Sequence, residues 1–270
     1  MADTLRLDMA LTDRQLTVSR SKAQALIRAG QVYVNGRQCK KASTVVNDSD
    51  QLEIKGEECP FVSRGGYKLL KAVEEFQLDL SGLVCMDVGA STGGFTDCML
   101  QHGAKKVYAV DVGTDQLAET LQKDSRVVNK EQCNFRYATK EEISEEIQFA
   151  SVDVSFISLE KILPTLYSLL ASNGRAVCLI KPQFEAGREN LSKNGVVRNA
   201  NVHIRVIHQV LTVLSQLGFT PLGLTHSPIK GPMGNIEYLV YVTKEKLSSG
   251  KEILPDVIVK NAHKELGEKD

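Results

Sequence analysis

The decisive stretch of the sequence is Cys85-Met86-Asp87-Val88-Gly89-Ala90-Ser91-Thr92-Gly93-Gly94-Phe95. It predicts an apolar strand that runs into a glycine-rich turn, and a helix that begins after the turn. Glycine lets the backbone turn tightly and lets a ligand approach without meeting a Cβ atom. Asp87 ends the strand, where a carboxylate can face an ammonium group. The next predicted strand ends at Asp111, which can accept both hydroxyls of a ribose.

Predicted strands and helices alternate from Leu83 onward, which indicates an α/β fold with a parallel sheet. The strands are predicted at 84–88, 106–112, 127–129, 149–154, 175–180, 220–225 and 237–243. The helices are predicted at 94–102, 116–123, 159–171 and 202–217. A loop and not a helix joins the last two strands, so we expect the seventh strand to be antiparallel.

The Asp-x-Gly-x-Ser-x-Gly pattern that starts at Asp87 resembles the cofactor motif of class I methyltransferases, with Ser91 in place of the usual middle glycine. The resemblance implies a seven-stranded Rossmann-like domain that binds S-adenosylmethionine. The residues expected to bind it are Asp87, Gly89, Ala90, Ser91, Gly93, Gly94, Phe95, Asp111 and Asn134. Arg136 is expected near the adenine together with Asn134. NAD, or a turn without a ligand, is the alternative interpretation.

The N-terminal residues form a separate predicted unit. A helix is expected from about Lys22 to Ala29, capped by Ser19 or Ser21. Val32-Tyr33-Val34 alternates as a strand, and Asn35-Gly36 is a strong hairpin signal. We therefore predict an α+β domain over 1–56, a linker over 57–66, the methyltransferase domain over 67–245 and a C-terminal segment over 246–270 that is either a loosely packed tail or a short helix.

Charge is unevenly distributed although the whole chain has a net charge of zero. Residues 1–71 hold 12 Lys and Arg against 8 Asp and Glu, a net of +4, which indicates a polyanion-binding surface. The alternative is an ordinary solvated basic surface. The candidate RNA-binding residues are Arg6, Arg14, Arg20, Lys22, Arg28, Arg37, Lys40, Lys41 and Arg64.

The Ser-Arg-Ser-x-Ala-x-x-Leu-Ile-x-x-Gly-x-Val-x-Val-Asn-Gly run that begins at Ser19 resembles the S-four domain, an RNA-binding module first named from a small-subunit ribosomal protein. The resemblance extends from Arg6-Leu7-Asp8 to Leu52-Glu53-Ile54. It implies that the N-terminal unit binds RNA.

Charged residues mark the ends of three predicted strands. Asp153 and Lys181 end the fourth and fifth strands, and Glu237 begins the antiparallel last strand. Ligands of open α/β sheets bind beyond the carboxyl ends of the strands, so these residues are expected to lie together. Lys68, in the helix that follows Ser63-Arg64-Gly65-Gly66, is the fourth member. For any one of them, a structural salt bridge is the simpler interpretation.

The order Lys68, Asp153, Lys181, Glu237 resembles the Lys-Asp-Lys-Glu tetrad of FtsJ-like RNA 2′-O-methyltransferases. With the S-four-like unit, the runs 89–96, 155–159 and 181–185 are similar to the TlyA family of hemolysin-named ribosomal RNA methyltransferases. The resemblance implies methylation of a cytidine ribose in ribosomal RNA of either subunit.

A ribose hydroxyl is a poor nucleophile until a positioned base removes its proton. Lys181 is the predicted base, although a lysine with an ordinary pKa of ~10.4 must lose its proton first. Asp153 would orient Lys181, and Lys68 and Glu237 would position the ribose.

Three other functions remain open from the sequence. Asp153-Val154-Ser155-Phe156 occupies the place where base N-methyltransferases carry an Asn/Asp-Pro-Pro-aromatic motif, but it lacks both prolines. A membrane-active hemolysin is the second alternative, and an RNA-binding protein without catalysis is the third. No apolar run approaches the ~18 residues of a membrane span. The first residues lack a signal peptide pattern and the six cysteines form no metal or disulfide pattern, so a cytoplasmic protein is expected.

Overall fold

A computed structural model of the chain describes residues 4–17, 19–28, 30–55, 59–247 and 252–267. The chain divides into two compact units, Met1–Cys59 and Pro60–Asp270. Each unit encloses its own cluster of buried apolar side chains.

The N-terminal unit packs two helices against short strands. Along its described residues the elements are β1 (Thr4–Arg6), α1 (Leu7–Asp13), α2 (Arg20–Arg28), β2 (Val32–Val34), β3 (Arg37–Gln38), β4 (Val45–Asn47) and β5 (Leu52–Ile54). β1 pairs antiparallel with β4, and β2 lies between β3 and β5. Leu7, Leu11, Ile27 and Val32 are fully buried between these elements, which gives the small unit a core of its own.

Local signals in the sequence predict most of this unit. Ser19 caps α2, because its Oγ accepts a hydrogen bond from the amide of Lys22 at 3.2 Å. Asn35 and Gly36 have φ of 50° and 76°, the left-handed values of a tight hairpin turn between β2 and β3. Both predictions are confirmed. Helix α1 is not predicted. It is only seven residues long, and the residue before it, Arg6, does not cap it with its side chain.

The second unit contains one sheet of seven strands, in the order β11-β12-β10-β9-β6-β7-β8. Its strands are β6 (Val84–Val88), β7 (Lys106–Val110), β8 (Val127–Lys130), β9 (Ile147–Val152), β10 (Leu170–Ile180), β11 (Thr220–His226) and β12 (Tyr238–Thr243). β12 is antiparallel to both of its neighbours, and the remaining pairs are parallel. The predicted α/β class and the antiparallel seventh strand are confirmed.

Helices cover this sheet. They are α3 (Gly66–Glu75), α4 (Gly94–Gln101), α5 (Glu119–Gln122), α6 (Leu163–Leu169), α7 (Pro182–Glu185), α8 (Ala200–Leu217) and α9 (Pro255–Leu266). Helix α8 shows why the sequence folds this way: Asn199 caps its start, and Gly218, with φ of 96°, ends it in the left-handed region. Val206 and Leu214 are buried on its inner face.

Strand order places a crevice at the centre of the sheet. β6 is the first strand of the sheet along the chain, and it lies between β7 on one side and β9 on the other. The chain runs from β6 outward to β7 and β8 and then crosses back to β9 on the other side of β6. Ligands of open α/β sheets bind at such a reversal, outside the carboxyl ends of the strands. The glycine turn after β6 and the residue after β9 both open into this crevice.

Two predicted boundaries differ from the structure. Residues 60–66 of the predicted linker belong to the second unit: Phe61 is buried, and the amide of Val62 donates to Asp97 Oδ2 at 2.8 Å. The predicted C-terminal segment contains α9, whose Val259 and Ala262 are buried in the main core. The charged residues around these two apolar positions hide the helical spacing in the sequence.

The predicted helix over 159–171 is shorter in the structure. A single 3-10 turn, Leu159–Lys161, precedes α6, and β10 already begins at Leu170. Pro164 lies in the first turn of α6 and lacks an amide hydrogen, so it is tolerated only at the beginning of a helix.

Candidate active site

The glycine turn after β6 bends at three residues with left-handed backbone. Gly89, Ser91 and Gly93 have φ of 84°, 48° and 96°. A Cβ atom at Gly89 would collide with main chain, because it would lie 2.5 Å from the main-chain oxygen of Asp153. The predicted cofactor turn therefore packs directly against the carboxyl end of β9.

Asp111 holds this turn from the end of β7. Its Oδ2 accepts the amide of Ser91 at 2.7 Å and its Oδ1 accepts the amide of Gly113 at 2.7 Å. A carboxylate oxygen has more than one acceptor site, so each oxygen can still accept a ribose hydroxyl. Asp111 is half-buried at the predicted position, and its geometry fits the predicted contact.

The carboxylate of Asp87 does not point where the sequence predicts. We expected its carboxylate to face a ligand ammonium group, but Asp87 is fully buried. Its Oδ2 accepts the amide and the hydroxyl of Thr96, both at 2.8 Å, and its Oδ1 accepts the hydroxyl of Ser151 at 3.1 Å. Burial raises the pKa of Asp87 from 3.8 to about 7, although these hydrogen bonds oppose the shift. Asp87 therefore supports the first turn of α4 from inside.

This burial predicts a pH-dependent stability. Because the pKa of Asp87 is raised on folding, the folded protein binds a proton between about pH 4 and 7 that the unfolded chain releases, and stability falls as pH rises through this window. The variant Asp87→Asn keeps an acceptor for Thr96 and cannot titrate. When the pH is lowered from 7.5 to 5, the free energy of unfolding of the wild type should rise by roughly 2 kcal/mol relative to that of Asp87→Asn, as measured by urea unfolding. A difference that stays constant with pH would contradict the raised pKa.

The remaining predicted cofactor residues shape the edges of the turn. Ala90, Gly94 and Phe95 are buried. Asn134 caps a 3-10 turn, since its Oδ1 accepts the amide of Arg136 at 3.2 Å. The side chain of Arg136 is exposed and lies over the Tyr137 ring, with 5.4 Å between the guanidinium carbon and the ring centroid.

Two exposed apolar side chains near these residues are not predicted. Val112 follows Asp111 and is 69 % exposed, and Tyr137 follows the Asn134 cap and is 66 % exposed. Exposed apolar groups beside a polar cleft are typical of a surface that an aromatic ring covers. The signal in the sequence is their position directly after predicted polar ligands.

The four predicted catalytic residues lie together at the carboxyl edge of the sheet. Lys181 Nζ is 2.6 Å from Asp153 Oδ1, and Lys68 Nζ is 3.6 Å from Asp153 Oδ2. Lys68 Nζ also donates to Glu237 Oε2 at 2.7 Å. The four side chains therefore form one row in which cations and anions alternate, in the order Lys181, Asp153, Lys68, Glu237. We call it the charged row.

Sheet register explains this convergence. Asp153 directly follows β9 and Lys181 directly follows β10, and these parallel strands pair through Val152 and Cys178. Glu237 directly precedes β12, which is antiparallel, so its first residue pairs with the last residue of β10. Lys68 comes from the first turn of α3.

Burial and pairing set the electrostatics of the charged row. Glu237 is fully buried, and Lys68 and Lys181 are 7 % and 8 % exposed. Burial opposes the charged form of Lys68, but the carboxylates of Asp153 and Glu237 outweigh it and raise the pKa of Lys68. Lys68 therefore remains a cation. Lys181 contacts one carboxylate of the row, and its Nζ also donates to Ser155 Oγ at 2.9 Å.

An aromatic pair adjoins Lys181 and is not predicted. Phe156 is 91 % exposed and has φ of 63°, an unusual backbone conformation for a bulky residue. Its ring centroid lies 5.1 Å from that of Phe184, and Lys181 Nζ lies 5.8 Å from the centroid of Phe184. A sequence cannot reveal this exposure, because Phe156 stands in a run that otherwise resembles the end of a buried strand.

In the N-terminal unit, three of the predicted RNA-binding arginines have structural partners. Asp8 is fully buried and accepts hydrogen bonds from Arg6 at 3.0 and 3.2 Å, from Arg20 at 2.9 Å and from Gln24 at 2.7 Å. The hydrogen bond from Arg6 is the main reason that the pKa of Asp8 is well below its usual range. Arg14 donates to the main-chain oxygens of residues 47 and 50. Arg6 and Arg20 remain about half exposed beyond Asp8.

The other predicted basic residues lie at the surface. Lys22 is half-buried. The exposed ones in the N-terminal unit are Arg28, Arg37, Lys40 and Lys41. Arg64 is also exposed but belongs to the second unit, directly before α3.

Comparison with known proteins decides the family. The model of the FtsJ-like methyltransferase family matches residues 61–244, and that of the S4 domain matches residues 5–52. The chain belongs to the FtsJ-like methyltransferase family. Family membership confirms the resemblance that the sequence indicates, and it confirms a methyltransferase that uses S-adenosylmethionine.

Relatives of this FtsJ-like chain match over most of its length. It is 44 % identical to Bacillus subtilis (strain 168) YqxC, provisionally named an rRNA methyltransferase, over 98 % of this chain and 96 % of that protein. It is 40 % identical to the 16S/23S rRNA (cytidine-2′-O)-methyltransferase TlyA of Mycobacterium tuberculosis (strain ATCC 25618 / H37Rv), over 90 % of this chain and 91 % of that protein. A solved structure from Streptococcus thermophilus, provisionally described as a hemolysin, is 44 % identical with a TM-score of 0.78 and covers 98 % of both chains.

Two further observations concern the described part of this FtsJ-like protein. Over these residues, no helix combines the length and the apolar character that crossing a membrane requires. Over the same residues, no group of three or more His, Cys, Asp or Glu side chains is arranged to hold a metal ion.

Proposed function

We propose that this protein transfers a methyl group from S-adenosylmethionine to the 2′-hydroxyl of a cytidine in ribosomal RNA, with Lys181 as the general base. The observation that carries the proposal is the charged row, which lies beside the glycine turn because Gly89 packs on the main chain of Asp153, the second member of the row. The cytidine-2′-O activity in the name of the Mycobacterium tuberculosis relative supports the choice of nucleotide and of atom. Ribosomal RNA or a ribosomal subunit would be the partner, in the cytoplasm.

The glycine turn fits the cofactor. At Gly89 and Gly93 the backbone is left-handed and a Cβ atom would collide with its surroundings, so these two positions of the turn require glycine and expose their main chain. Asp111 would hold the ribose hydroxyls, and Val112 and Asn134 would flank the adenine. When bound, S-adenosylmethionine supplies an electrophilic methyl group on a sulfonium ion.

This placement makes Asp111 the residue to test for cofactor binding. Asp111→Ala should weaken S-adenosylmethionine binding by roughly 10- to 100-fold in isothermal titration, because hydrogen bonds to a charged group are the strong ones. Asp48→Ala, an exposed aspartate in the N-terminal unit, is the charge-matched control and should bind like the wild type. Unchanged affinity in Asp111→Ala would refute this cofactor site.

The charged row assigns different tasks to its two lysines. Lys68 is held between two carboxylates that keep it charged, so it serves as a fixed cation beside the reacting ribose. Lys181 has one carboxylate and one hydroxyl as partners, and its Nζ lies over the ring of Phe184, on which the exposed Phe156 packs. The mechanism requires Lys181 to enter the reaction as a neutral amine. Its Nζ would then take the 2′-hydroxyl proton while the oxygen gains the methyl carbon, whose bond to the cofactor sulfur breaks to leave the neutral thioether. Asp153 would stabilise the ammonium that forms on Lys181.

Phe156 is the proposed platform for a nucleobase. Its ring is almost fully exposed, yet its strained backbone holds it against Phe184 beside Lys181. Base–aromatic stacking contributes about 1–3 kcal/mol per base. Such a platform would place a splayed-out base next to the charged row, with its ribose towards Lys181.

The N-terminal unit would bind RNA mainly through phosphates. Its exposed cations Arg28, Arg37, Lys40 and Lys41 are suited to this, since each phosphate contact releases counterions. Changing all four to glutamine should weaken RNA binding and reduce the slope of log affinity against log salt by about 3. Fluorescence anisotropy across a salt series measures both.

The control for that variant is Lys71→Gln with Lys123→Gln, which removes cations that pair with Glu75 and Glu119 on helices of the second unit. It should leave the salt slope unchanged. If the fourfold variant keeps the wild-type slope, the N-terminal cations do not contact phosphates.

Mapping ribosomal RNA by mass spectrometry tests the function as a whole. RNA from a deletion strain and from the complemented strain should differ by one methyl group on a cytidine, and the linkage after that nucleotide should resist alkali because the attacking hydroxyl is blocked. A methylated nucleotide that alkali still cleaves would favour base methylation. Identical RNA from both strains would refute the proposal.

A further inference from the structure

Gln183 connects the charged row with the aromatic pair. It lies in α7, two residues after Lys181 and directly before Phe184. Its Nε2 donates to Glu237 Oε1 at 3.4 Å. Its Oε1 is buried and accepts no hydrogen bond, and among the described residues it is the one buried side-chain polar atom without a partner. A buried carbonyl without a donor is destabilising, so this acceptor requires an explanation.

The orientation of the Gln183 amide is fixed by its neighbour. Glu237 is ion-paired with Lys68, and a carboxylate accepts hydrogen bonds only. It therefore holds the NH₂ group of Gln183. Rotating the amide by half a turn would bring two acceptor oxygens together. Gln183 thus offers an acceptor, and not a donor, to a group that approaches the site.

A nucleotide within an RNA chain has few donors to offer. The 3′ and 5′ oxygens are esterified, so a cytidine carries the 2′-hydroxyl and the exocyclic N4 amine. Our proposed function assigns the 2′-hydroxyl to Lys181, which leaves the amine. Uridine has the acceptor O4 where cytidine has N4. Uridine has its donor at N3, so an acceptor with a fixed orientation that is aimed at the 4-position distinguishes the two pyrimidines.

We infer that Gln183 Oε1 accepts a hydrogen bond from the N4 amine of the target cytosine and thereby selects cytidine over uridine. The inference rests on the proposed function. Phe184 follows Gln183 along the chain and packs against Phe156. In this inference the edge of a base stacked on the pair lies towards the amide. Gln183 would then be the residue that reads the base, while the charged row acts on the ribose.

The test uses RNAs that differ at one nucleotide. Single-turnover methylation is measured on RNA with cytidine, uridine or the ribonucleoside of 2-pyrimidinone, which lacks the 4-amino group, at the target position. The wild-type protein should methylate the pyrimidinone RNA about 10- to 100-fold more slowly than the cytidine RNA, and the uridine RNA more slowly still. Gln183→Met, of similar volume but without the acceptor, should bring the cytidine and pyrimidinone rates within about threefold of each other.

The control variant is Gln216→Met, the same change on the exposed face of α8, and it should keep the wild-type ratio. The ratio of the two rates does not depend on how much protein is active, so partial misfolding does not affect it. Equal wild-type rates on cytidine and pyrimidinone would overturn the inference. So would a Gln183→Met variant that slows both substrates equally, since Gln183 would then act only through Glu237. If the wild type does not methylate the cytidine RNA, the proposed function itself fails together with the inference.

Discussion

Replacing Lys181 with arginine is expected to slow methyl transfer by at least about two orders of magnitude. Arginine keeps the positive charge and can still pair with Asp153, but its pKa exceeds ~12 and it cannot accept the hydroxyl proton. General-base catalysis contributes typically 10²–10⁴-fold. The measurement is single-turnover transfer with saturating cofactor and RNA, alongside separate binding titrations. Affinity for both ligands should change far less than the rate.

Lys68→Arg is the informative companion to that variant. Lys68 is paired with two carboxylates and acts in our proposal as a fixed cation, so arginine should preserve more of the activity at this position than at Lys181. If Lys181→Arg retains a near-normal single-turnover rate, the lysine serves only as a structural ion pair and the mechanism fails.

Replacing Gly89 with alanine is expected to cause the second large loss of activity. In Gly89→Ala the new Cβ atom would lie 2.5 Å from the main-chain oxygen of Asp153, so either the glycine turn or the end of β9 must move. A displacement of about 1 Å in a catalytic group can cost about 100-fold in rate. We therefore expect Gly89→Ala to lose both cofactor affinity and at least about 100-fold in methyl transfer.

Gly82→Ala is the matched control for Gly89→Ala. Gly82 also has a left-handed backbone, with φ of 73°, but a Cβ atom there would meet no atom within 4 Å. Both variants carry the backbone cost of a left-handed alanine, about 1–2 kcal/mol in the free energy of unfolding. Only Gly89→Ala carries the collision in addition. Equal activities of the two variants would show that the contact with Asp153 does not couple the turn to the charged row.

The sequence predicts those features that depend on chain order and strand direction. The seven strands follow from apolar runs separated by turn signals. The meeting of Asp153, Lys181 and Glu237 follows because two parallel strands end, and one antiparallel strand begins, at the same edge of the sheet. Lys68 is harder to place by such reasoning, and only the family resemblance adds it to the other three.

Side-chain direction is what the sequence does not predict. Asp87 stands at a strand end like Asp111, but it points into the first turn of α4, where Thr96 occupies its oxygen. Phe156 has a large apolar side chain, of the kind usually found in a core, but it lies at the surface. Both outcomes depend on contacts between elements that are distant along the chain, and local periodicity contains no information about them.

The shared carboxylate of the N-terminal unit has a consequence for the evolution of this module. Arg6 and Arg20 both form ion pairs with the buried Asp8, and the side chain of each remains partly exposed to solvent. If the exposed parts of these arginines also contact RNA as the sequence predicts, a substitution at either one would alter folding and polyanion recognition at once, because an underpaired buried carboxylate is costly. Selection cannot adjust one property at these positions without disturbing the other. Variation that retunes the RNA target is therefore expected to accumulate at the peripheral cations, while the arginine pair and its aspartate change together or remain as they are.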